Sequence, residues 1–359
     1  MNVLLLSRYS WAGNSSRDRS LKFIPLLEKE GLKITAAPLV DDDYIANLYS
    51  GKSTDWRSLL KSYVRRVGDV LSASQYDLVW IERETMPYFP AIAEWWLDHT
   101  GIPYVIDYDD AIFHNYDKHS NPLVRAFFGK KIDAVMRRAR LVVVGNDYLA
   151  DRARKAGARW IEYVPTVVDL RSIDLSVEPH NDVFTIGWIG TPLNARYLIP
   201  IGAALAEVCR GGNARVVMVG ARDFRLDGVP LTSRQWELET EVSEIQSFDV
   251  GIMPLPDSPF ERGKCGYKLL QYFACARAGV ASPVGVNAQI VESGINGFSA
   301  TTTEEWVRAL STLRENPALR RSMGRAGRQK VEEHYSLERT APHLASLLRK
   351  AGDKKGRGQ

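Results

Sequence analysis

The chain has 359 residues, 45% of them apolar and 25% charged. This is ordinary globular composition, which excludes a disordered chain, a collagen-like fibre and a coiled coil. At roughly 100–200 residues per domain the length allows two or three domains, each able to bury a core. Forty-seven Lys and Arg against forty-three Asp and Glu leave a net charge of +4, too mild to indicate nucleic acid.

Three cysteines, Cys209, Cys265 and Cys275, form no C-x-x-C pair, so neither a disulfide framework nor a zinc site is indicated. A reducing cytoplasm fits that usage. The opening apolar run Val3–Leu6 is too short for a signal segment and follows no cationic stretch. The longest apolar stretch, Leu198–Ala206, contains Pro200 and Gly202. It falls far short of the ~20 residues a spanning helix needs. The expectation is a soluble protein, or at most one attached to a membrane surface.

In chain order, Val3–Leu6, Lys33–Ala37, Leu78–Ile81, Tyr104–Ile106 and Leu141–Val144 read as strands. Their near-continuous apolar character suits a parallel sheet covered on both faces. Trp56, Leu59, Leu60, Tyr63, Val64, Val67, Val70 and Leu71 fall at helical spacing on one face. Leu123–Ala139 and Asp147–Ala156 also read as helices, with Gly157 as a stop. A second series follows: strands at Thr185–Ile189, Val216–Val219, Val250–Met253 and Val280–Ser282, helices at Ala195–Cys209, Tyr267–Ala276 and Glu304–Leu313. Pro317 starts a helix to about His334, and Ser336 caps a last one ending near Lys350. The tail beyond Lys350 is polar and expected to fray.

This alternation predicts an α/β chain of two doubly wound, Rossmann-like domains. The expected boundaries are an N-terminal domain over 1–168, completed by the helix 337–350, a linker over 169–182 and a C-terminal domain over 183–336. The linker reading rests on Pro165–Asp182, which carries Pro165, Pro179 and several acids without a long period. Two facing carboxyl edges would form a cleft for two substrates.

Two turns of the second domain suit an anion. Ile186 to Thr191 (IGWIGT) leaves a strand and precedes a helix, so Gly190 and Thr191 offer backbone N–H groups. It lacks the full dinucleotide fingerprint, and there is no Walker A sequence. Gly263 to Lys268 (GKCGYK) opens a helix with Lys264, Gly266 and Lys268, which suits a diphosphate. Arg196 adds a cation at the other turn.

The stretches Lys264–Ala274 (KCGYKLLQYFA), Ala281–Asn287 (ASPVGVN) and Ile290–Phe298 (IVESGINGF) resemble the donor-binding half of GT-B glycosyltransferases. More narrowly they are similar to family 4 retaining enzymes that build bacterial surface glycans. Tyr163–Asp169 (YVPTVVD) resembles the family's interdomain segment, and Met323–Arg328 (MGRAGR) with Tyr335-Ser336 its closing helices. The resemblance implies a GT-B fold and a nucleotide-diphosphate sugar, UDP- or GDP-linked, as donor, with no cofactor and no metal. Lys268 then matches a lysine on the diphosphate and Arg196 a second cation, while Gly190 and Thr191 line the phosphate turn. Glu261 would hydrogen-bond hydroxyls of the transferred sugar. The family's ribose-holding glutamate is replaced by Gln271, which keeps hydrogen bonding without charge. The preceding family glutamate aligns near Gly263, so Glu261 is offset from it.

In the first domain the resemblance places the loop of Gly13, Ser16 and Arg17 near donor phosphates or acceptor. Arg17 and Arg19 become candidates for an acceptor phosphate. The family commonly has a His after a middle strand, which puts Asp109, Asp110 and His114 near the reacting centre. Asp107-x-Asp109 also fits the metal motif of the other large glycosyltransferase fold, a reading that two Rossmann-like halves oppose. Asp41-Asp42-Asp43 reads as a solvated loop, and His99 and His343 as surface residues.

The implied acceptor is a glycan or a lipid-linked glycan, and the implied role is bacterial polysaccharide synthesis at the inner face of the plasma membrane. Lys130, Lys131, Arg137, Arg138 and Arg140 on one helix, with Lys61, Arg65 and Arg66 on another, offer peripheral membrane contact or simply helix solubility. Competing readings are a sugar-nucleotide epimerase of the same fold and a non-catalytic nucleotide-binding subunit. A dehydrogenase is disfavoured by the missing fingerprint.

Overall fold

The computed structural model describes residues 1–42, 44–45, 56–176 and 181–353. Asp43, Pro179, His180 and the tail 354–359 lie outside the described residues. The chain divides into two compact units, Met1–Thr166 with the segment from Leu337 onward, and Val167–Ser336.

The first unit holds β1 (Asn2–Leu6), β2 (Lys33–Ala36), β3 (Leu78–Glu82), β4 (Tyr104–Tyr108), β5 (Leu141–Val144) and β6 (Ile161–Tyr163). They form one six-stranded sheet in the order β2-β1-β3-β4-β5-β6, with every pairing parallel. The register runs Val3 to Leu78, Ile81 to Ile106 and Val105 to Leu141. β3 and β4 are buried along their whole length, as continuous apolar runs under helices on both faces require. The C-terminal helix Leu337–Gly352 belongs to this unit and buries Leu344, Leu347 and Leu348. At its end Gly352 touches down on Met1: a Cβ there would lie 2.6 Å from the Met1 sulfur.

The second unit holds β7 (Phe184–Ile189), β8 (Ala214–Val219), β9 (Leu231–Arg234), β10 (Val250–Met253), β11 (Ala278–Ala281) and β12 (Gly297–Ser299). Its sheet is also parallel, in the order β12-β11-β10-β7-β8-β9. The first strand of the unit is thus central, and the chain winds outward from it in both directions. Two apolar clusters cover the sheet, one around Trp188, Leu198 and Trp306, the other around Phe248, Tyr272 and Phe273. Leu170 and Ile173, expected in the linker, pack against the second cluster.

Three strands escaped the sequence reading. β6, β9 and β12 are short edge strands with mostly half-exposed residues, so they carry no continuous apolar run. β11 begins at Ala278, before the expected Val280, because Ala278 and Gly279 carry little apolar signal. The helix expected over Leu123–Ala139 is two helices, Pro122–Phe128 and Lys131–Arg138. The break precedes Lys131, whose ammonium turns inward onto Glu84 (2.5 Å) and the Met86 carbonyl (2.6 Å). The helix expected over Ala195–Cys209 starts as a 3-10 stretch, Pro192–Ile201, and becomes α only at Gly202–Cys209. Pro200, lacking an N–H, interrupts the α pattern there.

The helix Trp56–Leu71 forms where the spacing places it, but little of its apolar face is covered: Trp56, Leu60, Val64, Val67 and Leu71 are exposed, and Ser62, Arg66 and Val70 are the buried residues. The basic-helix reading changes with it. Arg66 is buried, donates to the Ser7 carbonyl at 2.7 Å, and its pKa is pushed down to about 10 by burial. Lys131 is equally withdrawn from solvent. Neither can meet a lipid surface. Among the described residues no helix is long and apolar enough to cross a membrane.

Candidate functional site

The sheet order of the second unit has a reversal between β10 and β7. In open parallel sheets the crevice beyond the carboxyl ends at such a reversal is where ligands bind. Gly190 and Thr191 follow the end of β7, and the Leu255–Lys268 segment follows β10. The sequence-derived donor residues therefore flank one switch point.

Local packing explains how they are held. Gly187 is not a phosphate-loop glycine: it lies inside β7, and a Cβ there would sit 2.0 Å from the Phe248 ring. Gly251 in β10 likewise admits the Tyr272 ring. The bare strands let the helix Tyr267–Ala274 pack closely. Its buried Tyr272 hydroxyl accepts from the Ile189 N–H (3.3 Å) and donates to the Ile252 carbonyl (3.2 Å). One phenol thus ties the ends of β7 and β10 to the helix that carries Lys268.

Gly266 caps that helix in the left-handed region, φ 69°, and a Cβ there would lie 2.3 Å from Ile290. A side chain is excluded both by conformation and by space. The positive end of the helix dipole falls at this turn, which suits an anion. At the second helical position the Lys268 ammonium stands 4.7 Å from the centroid of the Trp188 indole. Gly190 lies against both: a Cβ on it would be 2.8 Å from the indole and 2.9 Å from Lys268 Cε. The structure therefore brings Gly190, Gly266 and Lys268 together with Trp188, which the sequence reading had used only as a strand residue. Gln271, on the same helix, is buried.

A second group forms around Glu261, on the short helix Pro259–Arg262. Its carboxylate is buried and accepts from the Tyr197 hydroxyl at 2.6 Å and from the Ser258 hydroxyl. Burial alone would raise its pKa. The Ser258 and Tyr197 hydrogen bonds, with the Lys264 charge, outweigh that and hold it below the usual carboxylate range. The exposed Arg196 guanidinium lies over the Tyr197 ring at 5.2 Å, and the Lys264 ammonium over Phe260 at 5.1 Å. Arg196 and Glu261 are thus linked through Tyr197, and Lys264 acts on Glu261 through its charge. Spacing gave no hint of Tyr197; its only signal was a tyrosine next to the candidate arginine.

In the first unit the expected residues are distributed differently. Gly13 caps the helix Asn14–Arg19, and a Cβ there would meet the Tyr9 side chain at 2.2 Å. The Ser16 hydroxyl accepts from the Tyr9 N–H at 2.9 Å, which folds this loop on itself. Arg17 is buried beside Asp18. Arg19 is buried too, with Nε and Nη2 both donating to Asp107 Oδ1 at 2.9 and 2.7 Å. Arg19 is thus a buried ion-pair partner and no longer offers itself to an acceptor phosphate; a phosphate would also need Arg17 uncovered. Burial raises the Asp107 carboxyl, and Arg19 opposes that shift.

Asp109 and Asp110 meet at Arg83, which follows β3 with φ 64°. Its Nε donates to Asp109 at 3.0 Å and its Nη2 to Asp110 at 3.4 Å. Both carboxylates of the Asp107-x-Asp109 pattern are therefore held by arginines. His114 is turned elsewhere, with Nδ1 2.7 Å from Asp117 and Nε2 2.8 Å from the Tyr148 hydroxyl. Burial lowers its pKa in spite of Asp117. Sequence reasoning missed Arg83; the run Glu82-Arg83-Glu84 directly after a buried strand was its available signal.

Residues 180–316, within the second unit, match a family model described as Glycosyl transferases group 1. No match is found among the curated proteins. Among solved structures the chain is similar to Anabaena Alr3699/HepE in complex with UDP and glucose. The identity is 15% and the TM-score 0.71, over 98% of this chain and 100% of that one. It is also similar to sucrose-phosphate synthase from Thermosynechococcus elongatus, at 13% identity and TM-score 0.69, over 98% of each chain. A glycosyltransferase from Rickettsia africae ESF-5 matches at 11% identity and TM-score 0.71, over 98% and 99% of the two chains. At these identities the likeness establishes the fold, which is the two-domain α/β GT-B fold.

Proposed function

We propose that this chain, whose residues 180–316 match the glycosyl transferases group 1 model, moves a hexosyl group from a nucleoside-diphosphate sugar to a glycan or lipid-linked acceptor with retention. The observation that carries this reading is the cationic setting at the second sheet's switch point. Lys268 and Gly190 meet beside the Trp188 indole, at the N-terminal end of the helix that follows Gly266, which supports a diphosphate there. A departing nucleoside diphosphate gains negative charge, and fixed donors in a partly buried site stabilise that charge without reorganising. Lys268 and the helix N–H groups take the diphosphate in this reading, with Arg196 and Lys264 at its flank. Glu261, ionised and fixed by Tyr197 and Ser258, accepts hydrogen bonds from the sugar hydroxyls. Gln271 meets the ribose through hydrogen bonds alone.

No covalent nucleophile is assigned. The acceptor oxygen attacks the same face of the sugar that the diphosphate leaves, and the departing phosphate oxygen takes the acceptor proton. Asp109, Asp110 and His114 are assigned to the acceptor side, with Arg83 holding the two carboxylates. The uridine nucleotide in the Anabaena structure makes UDP-sugars the first donors to try, and GDP-sugars the second. A cytoplasmic place in bacterial polysaccharide synthesis is part of this proposal, and three buried cysteines outside any disulfide suit a reducing compartment.

The test is release of nucleoside diphosphate from UDP- and GDP-sugars with and without oligosaccharide and lipid-linked acceptors, with the anomeric configuration of the product read by NMR. Acceptor-dependent release with an α product from an α donor is expected. Conversion of the donor sugar without any acceptor would make the chain an epimerase. Binding without turnover under any acceptor would make it a non-catalytic subunit.

A further inference from the structure

The loop at residues 83–88, which follows β3, is strained at both ends. Arg83 (φ 64°) and Tyr88 (φ 56°) are two of the four non-glycine residues with left-handed backbone among the described residues. Such conformations persist only where the surroundings over-determine them, and they gather at functional sites.

Here the surroundings act residue by residue. Arg83 is held by Asp109 and Asp110. The Glu84 carboxylate accepts from the Tyr116 hydroxyl at 2.7 Å and from the Lys131 ammonium at 2.5 Å. The Thr85 N–H donates to Glu94 at 2.9 Å. The Met86 carbonyl accepts from Lys131 at 2.6 Å, and the Pro87 carbonyl from the Tyr63 hydroxyl at 3.0 Å. The Tyr88 N–H donates to the Tyr116 hydroxyl at 3.0 Å. Glu84, Glu94, Tyr116 and Lys131 are all buried. The backbone they fix ends in an open ring. Tyr88 makes T-shaped contacts with Tyr116 (5.4 Å) and His119 (6.5 Å), yet it is 52% exposed. A strained, fully anchored backbone that leaves its aromatic ring out of the core serves something other than the core.

Place and charge indicate what that is. The loop leaves the carboxyl edge of the first sheet beside the reversal between β1 and β3, where ligands of open parallel sheets bind. Arg8 and Lys131 lie 3.8 and 2.5 Å from Glu84, and Arg83 lies 2.9 and 3.4 Å from Asp109 and Asp110. Three cations thus meet three carboxylates, so the group has no net charge with which to draw a phosphate. A neutral pyranose suits it better. One face of such a ring is a row of C–H groups that packs on an aromatic face, and its hydroxyls donate to fixed acceptors.

We propose that this loop binds a neutral saccharide, with a pyranose ring stacked on Tyr88. The inference rests on the transferase reading only where it makes that saccharide the acceptor; the binding itself stands apart from transfer.

The test is saturation-transfer NMR of the full chain with methyl hexopyranosides, maltose and lactose, without donor, beside acceptor kinetics with UDP- and GDP-sugars. The wild type is expected to bind at least one of these saccharides, and inorganic phosphate at equal concentration should not displace it. Tyr88→Ala should weaken that saccharide about tenfold and raise its KM as acceptor by a similar factor, with little change in kcat. Tyr88→Phe keeps the ring and should bind like wild type. Tyr88→Gly should melt above Tyr88→Ala, because glycine takes this φ at no steric cost, and yet bind as weakly. A merely structural tyrosine would instead recover binding along with stability. Failure of the wild type to bind any of the saccharides would overturn the proposal, as would equal binding by Tyr88→Ala or displacement by phosphate. Binding that depends on Tyr88 without turnover of any donor would count against the transferase reading alone. Turnover with an acceptor KM that Tyr88→Ala leaves unchanged would sink the proposal and spare that reading.

Discussion

Lys268 and Trp188 form a cation–π pair at the switch point, with 4.7 Å between the ammonium and the ring centroid. The pair fixes a flexible four-carbon side chain from a buried strand residue. Contacts of this kind contribute roughly 0.5–2 kcal/mol, more as water is excluded. The lysine is therefore pre-set, and less of its freedom is lost when an anion arrives.

Removing the charge tests its role. Lys268→Ala is expected to weaken UDP or GDP binding by about 1.5–3 kcal/mol, the range for a charge-assisted contact. Calorimetry would read this as a drop of roughly ten- to a hundredfold. Unchanged affinity would remove Lys268 from the diphosphate site.

Two glycines three residues apart should respond in opposite ways. Gly190→Ala puts a methyl 2.9 Å from Lys268 Cε and 2.8 Å from the indole, so it should displace the lysine and weaken nucleotide binding with a modest fall in stability. Gly187→Ala drives a methyl to 2.0 Å from Phe248 in the core. Overpacking of that kind costs about 1–3 kcal/mol or more. Its folded fraction should bind nucleotide normally. Denaturant melts beside nucleotide titrations would separate the two, and equal effects in both assays would dissolve the distinction.

Glu261 should leave a mark on acid stability. Its folded pKa lies below the ordinary 4.5, because the Ser258 and Tyr197 hydrogen bonds outweigh burial. The unfolded chain then binds the proton more readily, so the contribution is complete above about pH 4.5 and is lost as pH falls through the folded value. Glu261→Gln should flatten the fall of melting temperature below that pH. Tyr197→Phe should do so in part. A wild-type acid limb that neither variant alters would contradict the arrangement.

Arg19 and Asp107 form a buried pair, each 2% exposed. Asp107→Ala leaves Arg19 charged without its carboxylate, which costs about 3–5 kcal/mol when the site stays buried. Because both residues belong to the first unit and donor binding is assigned to the second, UDP affinity of the folded protein should not change. A large affinity loss at unchanged stability would place Asp107 in the site rather than beneath it.

The sequence by itself determined the architecture and the start of the helix that carries Lys268. Central parallel strands are buried on both faces, so they print as apolar runs such as Leu78–Ile81 and Val250–Met253, and the order of runs and amphipathic stretches fixes the fold class. Gly266 was legible as the start of this helix because glycine takes the left-handed conformation found there at no steric cost. Tertiary structure decided what any charged or apolar residue faces. Arg19 and Arg17 look like acceptor-binding cations until Asp107 and Asp18 are seen beside them, and Asp109 and Asp110 gain a meaning from Arg83, 26 and 27 residues away in the chain. The Trp56–Leu71 helix makes the same point in reverse: periodicity announces an apolar face, but only the packed neighbours decide how much of it is covered. Local spacing records which residues share a surface, whereas burial and pairing depend on segments brought together by folding.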